Sequence, residues 1–148
     1  MALPVVVPDA SVLLKWVLPS HDEPEADRAL SLRDAIAEET VQALLPGLWL
    51  YEVGNTLARR FPEHAEASLR ALVKFQIEEA QPTARWLETV LALTRDYGVT
   101  FYDASYHAVA IVHGGVFITA DRRYVGHVGG EGSINLLEEW SPPSAAVG

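Results

Sequence analysis

Four acids, Asp9, Glu52, Asp103 and Asp121, fall where their chemistry could be pooled. Carboxylates are hard oxygen donors. Mg²⁺ and Mn²⁺ prefer such ligands and are held by one or two of them, with waters and a substrate phosphate completing the shell. Four uncompensated carboxylates brought together repel one another, so a cluster of this kind calls for cations. Cations so held activate water and stabilise the oxyanions of in-line phosphodiester cleavage. Competing constellations are absent. The chain has no P-loop, no G-x-S-x-G turn and no G-x-G-x-x-G fingerprint. It has no cysteine, and its five histidines (His21, His64, His107, His113, His127) form no H-x-x-x-H pair. A histidine- or cysteine-held zinc is therefore not expected, and most of these histidines are expected at the surface or half-buried.

These acids must be positioned by secondary structure, and the chain alternates strand and helix. Pro4–Pro8 reads as a buried β-branched strand, followed by a helix from Ala10 to Val17 that Pro19 stops. Glu23 to Glu38 reads as a second helix and Val41–Leu45 as a second strand, closed by Pro46-Gly47. Helices are expected over Leu48–Arg60, Glu63–Glu79 and Pro82–Tyr97, the last capped by Gly98. Val99–Phe101 reads as a short extended piece, Asp103–His113 as a helix, and Val116–Thr119 and Ile134–Leu137 as strands. The glycine-rich run Gly126–Gly132 reads as a flexible loop. We expect one α/β domain over residues 4–140, with a flexible tail over 141–148.

Strands separated by helices imply a mostly parallel sheet with helices on both faces. In such sheets ligands bind beyond the carboxyl ends of the strands. Asp9, Asp103 and Asp121 each follow an extended segment, which places all three on one edge. Singly, each also reads as a helix N-cap. Glu52 lies about 60° to one side of Trp49 on a helical wheel, outside an apolar stripe of roughly 100°, and so borders the buried face. Tyr51 and Tyr102 adjoin site acids and are open to contact with substrate or partner, whereas Trp49, Trp86 and Tyr97 have core-like spacing. Arg122 and Arg123 follow Asp121 and read either as phosphate contacts or as solvated surface charge.

Composition is that of an ordinary globular protein, 148 residues at 49% hydrophobic and 21% charged. Neither a signal peptide nor a membrane span is expected, and the protein reads as cytoplasmic. The net charge of −9, from 11 basic and 20 acidic residues, is unlike that of most nucleic-acid binders. Seven of the acids lie between Asp22 and Glu39, expected on one solvated helix face, and four more are the site acids. The balance predicts weak non-specific nucleic-acid binding and a basic partner.

Four segments together resemble a known family. Asp9-Ala10-Ser11-Val12 after the first strand looks like the first motif of PIN-domain ribonucleases. Tyr51-Glu52-Val53-Gly54-Asn55-Thr56-Leu57 resembles the helix bearing the second acid, and Tyr102-Asp103-Ala104-Ser105-Tyr106 the third motif. Ile118-Thr119-Ala120-Asp121 is similar to the fourth. The length is most similar to the toxin of a VapBC-type toxin–antitoxin pair. The resemblance implies a three-layer α/β/α sandwich, endoribonuclease activity with Mg²⁺ or Mn²⁺, a homodimer, and a small antitoxin that occludes the site. It makes Asp9 and Asp103 the main metal ligands. Asp121 would complete the site, Glu52 would position water or a second ion, and Ser11, Asn55 and Thr119 would line it. An RNase H-like nuclease would open with an antiparallel meander, and a haloacid-dehalogenase-type enzyme would carry an acid where Ser11 stands. A catalytically silent PIN fold, kept as a binding or regulatory module, is the non-enzymatic alternative.

Overall fold

The computed structural model describes residues 2–19 and 25–144. Strand β1 (Val5–Pro8) buries Val6 and Val7 and leads through Asp9 into helix α1 (Ala10–Val17). Helix α2 (Ala26–Ala37) turns Ala26, Ala29, Leu32 and Ala35 inward and leaves Asp27 and Asp34 in solvent, as an amphipathic surface helix should. Part of the acidic run, Asp22 and Glu23, lies outside the described residues, as do His21 and residues 145–148 of the expected tail. Strand β2 (Gln42–Pro46) and helices α3 (Trp49–Arg60) and α4 (Ala65–Lys74) follow.

The chain departs from expectation after α4. The predicted helix over Glu63–Glu79 ends at Lys74, Gln76 takes a positive φ of 53°, and Glu78–Ala80 form strand β3. Helix α5 (Ala84–Tyr97) is capped by Thr83 at its start and by Gly98, at φ 67°, at its end. The expected extended piece over Val99–Phe101 is not a strand. Thr100 accepts from the Asp103 amide as an N-cap, so helix α6 (Phe101–His113) begins two residues before Asp103. Strand β4 (Val116–Thr119) and helix α7 (Arg122–Val128) come next, then a 3-10 turn (Gly129–Glu131) and strand β5 (Ile134–Leu136). The glycine-rich run read as a flexible loop is thus largely helical: Tyr124 and Val128 are buried and anchor it, which outweighs the cost of Gly126.

All five strands are parallel, in the order β3-β2-β1-β4-β5. The path runs outward from β1 through β2 to β3, then returns to the other side of β1 for β4 and β5. Right-handed crossovers in the two directions place helices on opposite faces of the sheet. One layer holds α1 with α2, α3 and α4 around it; the other holds α6 against β1, β2 and β4, with α5 and α7 beyond. The result is a three-layer α/β/α sandwich. Covered by the sheet on one side and α5 on the other, α6 buries every residue from Ala104 to Ala110, so its apolar surface runs all round. The turn into β4 needs two glycines for different reasons. Gly114 caps α6 at φ 65°, and a Cβ on Gly115 would lie 2.6 Å from the Val5 carbonyl oxygen.

Candidate active site

The direction of winding reverses between β1 and β4, and the crevice beyond their carboxyl ends is the standard ligand site of open parallel sheets. Asp9 leaves β1 there. Its amide still bonds the Ile118 carbonyl at 3.2 Å, which extends the ladder by one residue and aims the side chain across the strand ends. Asp9 Oδ1 accepts from the Ser11 hydroxyl and, at 3.3 Å, from the Val12 amide; Oδ2 accepts from the Thr119 hydroxyl at 2.6 Å. Ser11 Oγ in turn accepts from the Ala120 amide, and Thr119 Oγ1 from the Asp121 amide at 3.0 Å. Asp121 Oδ1 accepts from the Arg123 and Tyr124 amides and so caps α7. Ser11 and Thr119 thus lock two acids from adjacent strands into one frame. The cap reading holds for Asp9 and Asp121, and capping leaves neither acid out of the frame.

Asp103 and Glu52 reach the crevice from helices. Asp103 sits in the first turn of α6 and is not its cap, so its carboxylate is not spent on the helix end. Glu52 lies half-buried in the first turn of α3 and accepts a 2.6 Å bond from the Tyr106 hydroxyl. Tyr106 stands one turn beyond Asp103 on α6, with its ring stacked on Phe117. Asn55 is one turn beyond Glu52 and exposed, and no hydrogen bond joins it to the four acids.

Electrostatics link the acids. Burial lifts the Asp9 carboxyl from 3.8 to about 6, against the opposing hydrogen bonds from Ser11, Thr119 and Val12, with the Asp103 charge adding to the rise. Burial also raises Glu52, opposed by Tyr106 and helped by Asp103. Asp103 is raised by burial and by Asp121, while Thr100 opposes the shift. Asp103 is therefore the residue through which all four acids sense one another. Burial pushes the Tyr106 phenol far up, so it stays protonated and can only donate to Glu52.

The donor set is all oxygen and suits a hard cation, whose charge would offset the cost of ionising buried carboxylates. Among the described residues, no three His, Asp or Glu side chains form a ready-made chelate. An ion that keeps waters and takes a substrate phosphate fits this arrangement; one that demands a complete protein cage does not.

Sequence reasoning missed three residues. His107, expected near the surface, is fully buried. Its Nε2 lies 2.8 Å from the Gly132 carbonyl oxygen and its Nδ1 2.9 Å from the Tyr124 hydroxyl. Burial lowers its pKa, so the ring is neutral: Nε2–H donates to the carbonyl and Nδ1 accepts from the phenol. This ties α7 to α6, and with it Asp121 to Asp103. Tyr106 and Tyr124 are the other two. The available signal was spacing: Tyr106 and His107 follow Asp103 by three and four residues, one helical turn.

A cleft of about 210 Å³ opens beside Asp103 and Asp121, between the start of α6 and α7. Tyr51 and Tyr102, the sequence neighbours of Glu52 and Asp103, are 78% and 63% exposed and free of the core. Trp49 is buried, and Trp86 and Tyr97 pack against the core as expected.

The profile of the PIN domain matches residues 6–129. The chain belongs to the PIN-domain family. It is 32% identical over 125 residues to Ribonuclease VapC3 of Pyrobaculum aerophilum, an alignment covering 80% of this chain and 90% of that protein. The crystal structure of PAE2754 from the same organism superposes with a TM-score of 0.65 at 26% identity, covering 93% of this chain and 92% of that one. VapBC2 from Rickettsia felis, solved bound to a DNA fragment from its promoter, shares the fold alone. Its TM-score is 0.65 at 11% identity, with 89% and 96% of the two chains covered.

Proposed function

We propose that this PIN-domain protein is a divalent-metal-dependent endoribonuclease and the toxin of a toxin–antitoxin pair. The observation that carries the reading is the frame at the switch point of the sheet, where Ser11 and Thr119 hold Asp9 beside Asp121 and one cleft brings Asp121 together with Asp103. The likeness to Ribonuclease VapC3 supports RNA as the substrate. Asp9 and Asp103 would hold Mg²⁺ or Mn²⁺, with Asp121 completing the site and Glu52 orienting water. The bound cation supplies Lewis-acid activation of water and offsets charge on the reacting phosphate. Ser11 and Thr119 keep Asp9 aimed at the crevice by donating to its two oxygens, and Tyr106 does the same for Glu52. Asn55, exposed one turn beyond Glu52, would line the rim on that side.

The chain's acidity and the open cleft favour a basic antitoxin segment that places Arg or Lys near Asp9 and Asp103. A homodimer and a cytoplasmic location complete the reading. Among the described residues no helix is long and apolar enough to cross a membrane. The test is cleavage of single-stranded RNA by the purified, partner-free protein. Cleavage is expected only with Mg²⁺ or Mn²⁺, with Asp103→Asn slower by at least about a hundredfold, since even outer-shell changes at metal sites cost 10–100-fold. Equal cleavage in chelator, or an Asp103→Asn rate within threefold of wild type, would overturn the reading.

A further inference from the structure

The two adjacent arginines of α7 face different fates. Arg122 is engaged by Glu138, beyond β5. Arg123 instead lines the cleft that holds Asp103 and Asp121, and His127, four residues on and so on the same helix face, lines it too. Both side chains are exposed. Among the described residues Arg123 forms no ion pair, not even with the carboxylates sharing its cleft. The other polar side chains there are already committed: the Thr100 hydroxyl accepts from the Asp103 amide and bonds the Asp103 carboxylate, and the Tyr124 hydroxyl donates to His107. Arg123 and His127 are the cleft's unspent donors. In a chain of net charge −9, a guanidinium held beside two carboxylates without pairing to them is suited to an anion that enters from outside.

We infer that Arg123, assisted by His127, forms a phosphate subsite that grips an RNA phosphodiester neighbouring the scissile one. The inference rests on the ribonuclease reading above and adds to it the direction in which the strand crosses α7. The carboxylate wall would take the reacting phosphate through its cation, and the α7 wall the next phosphate directly. This gives an acidic protein a local means of holding a polyanion. Such a contact is sequence-independent, so it sets affinity and register and does not choose the bases read.

The experiment compares Arg123→Ala, Arg123→Lys, His127→Gln and Arg122→Ala in the full chain, using a labelled single-stranded RNA with Mg²⁺. Arg123→Ala is expected to raise KM about tenfold with kcat within about twofold, the signature of lost ground-state binding. It should also lower the slope of log binding against log salt by about 1. Arg123→Lys should recover part of the affinity, because one donor point replaces a fork. His127→Gln should raise KM two- to threefold, and Arg122→Ala, with the same loss of charge one residue away, should leave KM and slope near wild type. Equal effects of Arg122→Ala and Arg123→Ala would reduce the subsite to general charge and overturn it. An unchanged KM in Arg123→Ala would do the same, including the case in which that variant loses only binding of an acidic protein segment. Wild type that neither binds nor cleaves RNA would instead sink the ribonuclease reading, and the subsite with it.

Discussion

The two halves of the crevice are built differently. Asp9 and Asp121 emerge from adjacent parallel strands, and their carboxylates are tied by hydroxyls and amides within a few residues of each other. Glu52 and Asp103 stand in the first turns of helices from opposite layers, and Glu52 depends on a single phenol from α6. The sheet half is a rigid frame whose geometry the backbone dictates. The helix half brings charge up to that frame through long-range packing. Position comes from one side and electrostatic pressure from the other, with Asp103 joining the two.

The largest effect expected from this asymmetry is in stability against pH without metal. Asp9 is half-buried and desolvated by the frame, and its folded pKa is raised from 3.8 to about 6. Between those values the native state holds a proton that the unfolded state has released, so unfolding free energy falls as pH rises. The stability is fully present below about pH 4 and lost as pH rises through about 6, a total on the order of 3 kcal/mol. Denaturant titrations in chelator across that window should show the decline. Asp9→Asn should remove most of it, leaving the smaller decline that Glu52 and Asp103 contribute, whereas Asp121→Asn, on the exposed rim, should leave it in place. A wild-type profile with no decline would mean the frame does not bury Asp9's charge.

The next effect is metal-linked. A cation binding only the native state adds RT ln(1 + [L]/Kd), about 2.7 kcal/mol at a hundredfold excess over Kd, or roughly 5–10 °C in Tm for a chain of this size. Removing a charge from either half should raise Tm in chelator and shrink the gain from Mg²⁺ or Mn²⁺. Asp103→Asn should do both more strongly than Asp121→Asn, since Asp103 is the charge that Asp9 and Glu52 sense. Identical metal responses in wild type, Asp9→Asn and Asp103→Asn would separate the acids into unrelated caps.

The same division explains what could be read from the chain. The frame was legible because its parts are local: Val5–Val7 and Val116–Thr119 are β-branched strands, and Asp9 and Asp121 follow them within two residues. Strand β3 was not legible, because Glu78-Glu79-Ala80 lies at a sheet edge with both glutamates exposed and lacks an alternating apolar face. Helix α7 was hidden by Gly126 and the glycines after it; contacts of Tyr124 and Val128 from elsewhere in the fold make it a helix. The burial of His107 depends on Gly132, a partner 25 residues away that no local pattern announces.

The smallest effect is the sharpest test of the comparison, because it sets one hydroxyl in each half against the other. Thr119 Oγ1 is fully buried, donates to Asp9 and accepts from the Asp121 amide. Thr119→Val keeps the shape but removes, at a fully buried position, both the donor to the half-buried Asp9 carboxylate and the acceptor of the Asp121 amide. Leaving a buried polar group unsatisfied costs about 1–3 kcal/mol. Tyr106→Phe removes one bond to a half-buried Glu52 that water can still reach, so its cost should stay near the ordinary net value of about 1 kcal/mol. The ring of Tyr106 keeps its stacking on Phe117 in that variant. Urea melts of the two proteins should therefore differ by about 1 kcal/mol or more, with Thr119→Val the less stable. In activity, Thr119→Val should also lose more, because it frees Asp9 and Asp121 at once while Tyr106→Phe frees Glu52 alone. Should Tyr106→Phe prove the more damaging on both measures, the rigid frame would have to be moved to the helix side of the crevice.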